Sequence, residues 1–142
     1  MKVYSVICLF LSLLLADSCG ENPSKDMAFP TGTTWELDYI SGPRIAFEGL
    51  FPEKKPQLTF DGANGMATGN SGCNGYSAPY ELDGKAISFG EPGPSTMMYC
   101  GEGENVFRNM IQKVTTWMLD ADGKLNLMMG DVPLLRFKPA AP

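Results

Sequence analysis

The chain has 142 residues with 44% hydrophobic and 19% charged side chains, enough for one domain with one core and too little for two. Sixteen acidic against eleven basic residues give a net charge of −5, which disfavours binding to nucleic acid phosphates. With no histidine, the chain lacks the commonest general acid–base group near neutral pH and the commonest metal ligand.

Met1 and Lys2 form a short basic start, followed by an apolar run from Val3 to Ala16. About 14 residues fall short of the roughly 20 needed to span a bilayer, so the layout is that of a secretory signal peptide over 1–18. Ala16-Asp17-Ser18-Cys19 resembles a bacterial lipoprotein processing site, with Cys19 the lipidated residue and new N-terminus. Residues 19–31, with Asn22-Pro23-Ser24-Lys25-Asp26, then read as a tether to the membrane. The alternative is ordinary secretory cleavage after Ser18. The expected location is the cell envelope, as an outer-membrane lipoprotein on its periplasmic or surface face.

Trp35, Leu37 and Tyr39 alternate with Thr34, Glu36 and Asp38, the pattern of a half-buried strand with those three side chains inward. Ser41 to Pro56 carries five Gly and Pro residues without a period and reads as a long surface connection. Four large apolar residues crowd part of it, making Phe47, Leu50 and Phe51 candidate contacts for an envelope protein partner, unless the loop folds back over the mouth of the barrel inferred below.

Leu58 and Phe60 lead through Asp61-Gly62-Ala63-Asn64-Gly65 into Met66-Ala67-Thr68, a predicted hairpin. Further strands are expected at Cys73–Leu82 and Lys85–Phe89, joined at Asp83-Gly84. Thr116–Leu119 and Leu125–Leu127 pair through Asp122-Gly123, and Pro133–Phe137 is the last strand, with Leu135 and Phe137 inward. Between Glu104 and Val114 the apolar spacing changes to three and four, predicting one amphipathic helix. The fold class is therefore mostly β (α+β). It is a small antiparallel curled sheet or cracked barrel of about 7–8 strands, with the helix over an open side, occupying 32–138 before a tail at 139–142.

Ser71-Gly72-Cys73-Asn74, then Tyr80 and Thr96-Met97-Met98-Tyr99-Cys100, resemble the signature of the META domain, the HslJ-like family. Trp35-Glu36-Leu37, Pro56-Gln57-Leu58-Thr59-Phe60, Glu104, Phe107, Leu135 and Phe137 fall where that family pattern expects them. The resemblance implies a small β-rich domain of bacterial envelope proteins, often lipoproteins, associated with stress responses, secretion or motility. It supplies no reaction. Related domains are compared with pilotin-type cracked barrels that hold lipid, so a small apolar ligand or lipid inside the barrel is the alternative function.

With Cys8 in the signal and Cys19 lipidated, Cys73 and Cys100 remain as a pair in an oxidising compartment, and a disulfide is expected. Closing about 27 residues should stabilise the fold by roughly 3 to 4 kcal/mol. The methionines could suggest soft copper(I) ligands, but Met97, Met98, Met110, Met118 and Met128 are read as core filling. Asp120-Ala121-Asp122-Gly123 lacks the downstream Glu of a calcium loop and is read as a turn. Ser71 has no histidine to activate it, and Asn74 is expected to be a buried hydrogen-bonding residue beside the disulfide. The expectation is a protein without catalytic, cofactor or metal-binding residues.

Overall fold

The computed structural model describes residues 27–142. The signal segment, Cys8, Cys19 and most of the tether read from the sequence lie outside the described residues.

Eight antiparallel strands follow one another around a closed barrel, each hydrogen-bonded to its sequence neighbour and the last to the first. They are β1 (Thr34–Ile40), β2 (Gln57–Asp61), β3 (Met66–Asn70), β4 (Gly75–Asp83), β5 (Ala86–Phe89), β6 (Thr116–Leu119), β7 (Leu125–Met129) and β8 (Val132–Pro139). Two helices interrupt the meander: α1 (Phe47–Leu50) between β1 and β2, and α2 (Glu102–Ile111) between β5 and β6. The predicted strands are all present, and closure leaves little sheet edge unpaired. The thinnest seam is between β5 and β6, which pair only at Ala86 and Thr116, and the chain leaving α2 enters the sheet there.

The β1 alternation runs as expected through Trp35 and Leu37 and then breaks. A bulge between Leu37 and Tyr39 inserts an extra residue against β8, so Asp38 and Tyr39 both face outward and Ile40 turns in. Tyr39, expected inside, is 40% exposed. Its ring instead lies 5.4 Å from the Arg136 guanidinium, and Asp38 accepts hydrogen bonds from Lys124 Nζ at 2.7 Å and Arg136 Nε at 2.8 Å. Burial pushes the Asp38 carboxyl up, but these two cationic donors outweigh it and hold the group below the ordinary carboxylate value.

Inside the barrel, Leu37, Leu58, Phe60, Leu127, Leu135 and Phe137 are fully buried. The interior is thus packed with the protein's own side chains. Tyr76, Ala78 and Tyr80 alternate inward along β4. Tyr76 meets Phe107 of α2 edge-on at 5.7 Å, whereas Tyr80, about 13 Å further along the strand, meets Phe29 at 5.7 Å. Phe29 also packs against Phe60 at 4.9 Å and Trp117 at 5.0 Å, so residues from the tether reading belong to the packed domain. At the other terminus Ala140 N still bonds Thr34 O, extending the paired chain into the expected tail.

The connection Ser41–Pro56 folds back. Leu50 and Phe51 are buried at 4% and 5% exposure, and Phe47 packs against the core. The partner contact assigned to Phe47, Leu50 and Phe51 is therefore corrected: these side chains serve the core. They are held by α2, where Gly103 lets the helix backbone pass so close that a Cβ would collide with Leu50 O and lie 2.8 Å from Phe51 Cε1.

Candidate functional site

The chain between β5 and α2 leaves the barrel. Gly90, Pro92, Gly93 and Pro94 interrupt any periodic pattern, and residues 90–101 cross the surface as a strap without regular structure. Gly90 N and Gly93 N donate to Pro79 O and Ser77 O, laying the start of the strap along β4.

Its far end is fastened at the turn between β3 and β4. There Cys73 and Cys100 form the expected disulfide, with Cα atoms 6.0 Å apart. Beside them the Asn74 side chain is 3% exposed and uses its full hydrogen-bonding capacity. Its Nδ2 donates to Met98 O at 2.8 Å and to Glu104 Oε2 at 2.6 Å. Its Oδ1 accepts from Thr96 Oγ1 at 2.8 Å and from Met98 N at 3.0 Å. The other Glu104 oxygen accepts from the Ser71 hydroxyl, which is fully buried. One asparagine thus ties the strap, the β3–β4 turn and the first turn of α2 into a single unit.

This arrangement confirms Asn74 as a buried hydrogen-bonding residue. It also assigns Glu104 a partner role that helix periodicity could not reveal, because Ser71 and Asn74 reach it only through the tertiary fold. Ser71 is committed to this network rather than presented to solvent.

What the strap displays differs from the expectation of core methionines. Met97, Met98 and Tyr99 are 97%, 67% and 82% exposed, and Met118 is 40% exposed; Met110 alone of the five methionines named packs against the core. The physical reason is that Asn74 fixes the strap through its backbone, leaving the side chains outside. Two clefts flank the strap. One, about 390 Å³, lies between Ser95–Gly101 and the Glu104, Asn105 and Arg108 face of α2; the other, about 280 Å³, lies between Met98–Cys100 and Leu50–Lys54.

The fold is thus an eight-stranded meander barrel carrying a helix and a strap stapled to the β3–β4 turn. The META domain family matches residues 27–142, and the chain belongs to that family. A protein from Burkholderia xenovorans, solved by NMR, is similar in structure, with a TM-score of 0.59 and 27% sequence identity over 79% of this chain and 84% of that chain. No curated protein matches.

Proposed function

We propose that the protein is a non-catalytic envelope lipoprotein whose barrel holds the strap rigid for contact with a protein partner, in stress tolerance, secretion or assembly. The observation that carries this reading is the exposure of three consecutive large side chains, Met97, Met98 and Tyr99, on a backbone fastened by Asn74 and the disulfide. Burying a large apolar side chain is worth about 1.5 to 3 kcal/mol. A segment already ordered pays less entropy on association than a flexible one. Isolated exposed apolar residues are commonplace, whereas a contiguous run held in place is a feature of interaction surfaces.

Export and anchoring are supported by the basic start, short apolar run and Cys19 of the sequence. The test has two arms. Cys19→Ser should move the protein from the membrane to the soluble fraction. Met97→Ser with Tyr99→Ser should leave location and folding unchanged and abolish partner association in cells. Unchanged fractionation contradicts the anchor; unchanged association contradicts the strap.

A further inference from the structure

Arg108 is half-buried on α2 and makes no ion pair among the described residues. The acid nearest in helical phase, Glu104, stands one turn earlier, but its two oxygens are engaged by Ser71 and Asn74. Arg108 lines the cleft of about 390 Å³, and no carboxylate among the described residues pairs with its guanidinium. Asn105 shares the same wall, and Met97 and Tyr99 stand on the strap side.

Such a cleft offers one permanent positive charge opposite an apolar wall. Guanidinium recognises carboxylates through paired, planar hydrogen bonds, and a half-desolvated cation gains more from this than one free in solvent. Glu104 also lines the cleft, so an anion is favoured only on the Arg108 side. The overall charge of −5 gives no general attraction for anions, which makes recognition local to this residue.

We propose that this cleft binds a carboxylate carried beside an apolar side chain on a segment of a protein partner, with Arg108 holding the carboxylate and Met97 and Tyr99 packing the apolar group. The inference rests on the protein-binding role of the strap and names the chemistry that the strap would recognise.

The test is titration of the isotope-labelled full chain with N-acetyl-leucyl-phenylalanine bearing a free carboxylate, with the same dipeptide as its C-terminal amide, and with decanoate. The free acid should shift the resonances of Tyr99, Gly101, Asn105 and the Arg108 side chain, and the amide should bind at least about tenfold more weakly. Arg108→Gln should cost a similar factor while leaving the spectrum of the barrel in place. Shifts that do not depend on the carboxylate, or no shifts up to about 10 mM, overturn the site. Tighter binding of decanoate than of the dipeptide also overturns it, by marking a fatty-acid site. A strap that still cross-links its partner in cells when Arg108 is Gln removes this site and leaves the protein-binding role standing.

Discussion

The Asn74 side-chain amide and the Met98 peptide unit bond to each other in both directions, Nδ2 donating to Met98 O at 2.8 Å and Met98 N donating to Asn74 Oδ1 at 3.0 Å. A side chain here does what a neighbouring strand would do. It supplies the strap with one rung of a ladder, and Glu104 and Thr96 complete the amide's remaining capacity.

Asn74→Ala should therefore destabilise the fold by about 2 to 3 kcal/mol, because buried donors and acceptors lose partners together. Asn74→Asp keeps the shape but sets a carboxylate where a donor now stands 2.6 Å from Glu104 Oε2. Like-charge repulsion in place of a hydrogen bond should make its deficit larger than that of Asn74→Ala. Denaturant melts of the two variants check both statements. A deficit for Asn74→Asp no larger than that for Asn74→Ala would contradict the geometry.

Gly103 sets the approach of α2 to the Leu50–Phe51 segment. Gly103→Ala raises intrinsic helix propensity by about 1 kcal/mol but places a methyl group against Leu50 O, so packing opposes propensity. The predicted outcome is a net loss of about 1 to 3 kcal/mol with increased proteolysis between residues 41 and 56. Thermal melting with limited proteolysis measures it, and a stabilised variant would show that α1 and α2 are not tightly apposed.

Asp38 links β1 to Lys124 and Arg136 on the outer face. Its folded carboxyl lies below the ordinary 3.8, so folding favours the ionised form. The stability it contributes is present above the unfolded value and is lost as pH falls through the folded one. Asp38→Asn should cost about 1 kcal/mol at neutral pH, a modest figure because both cations are partly exposed, and the difference from the parent should vanish in strong acid. Paired melts from pH 7 down to pH 2 test the sign.

Replacing Cys73 and Cys100 by Ser should lower stability by about 3 kcal/mol, the value for closing a loop of 27 residues. The Asn74 contacts remain, so the strap should stay docked below the melting transition, with Met98 amide protection against hydrogen exchange retained. Early loss of that protection would make the disulfide the dominant fastener.

The hairpins were legible from sequence because their signals are local: Asp83-Gly84 and Asp122-Gly123 sit between alternating runs, and each becomes the turn of an antiparallel pair. Leu135 and Phe137 were legible for the same reason and are fully buried. Tyr39 was not, since the bulge that reverses its face depends on the register with β8 rather than on the composition of β1. The four-residue α1 was hidden because Leu50 and Phe51 become core residues only through tertiary contacts, with α2 at Gly103 and with the β3–β4 turn at Gly72. At the candidate site, the Cys73–Cys100 pairing and the burial of Asn74 could be read in advance. Glu104 as their partner, and Met97 and Met98 as surface residues, required the fold: hydrophobic side chains point to a core until the backbone that carries them is bound from behind.

The most direct test of the strap's role is photo-crosslinking in cells, with a benzophenone side chain placed at Tyr99 and, separately, at Asp83, an exposed position at the far end of β4. A discrete protein adduct is expected at position 99 that disappears when Met97 and Met98 are replaced by Ser, with no adduct at position 83. Equal labelling at both positions, or none at position 99 in membranes that contain the protein, would contradict it.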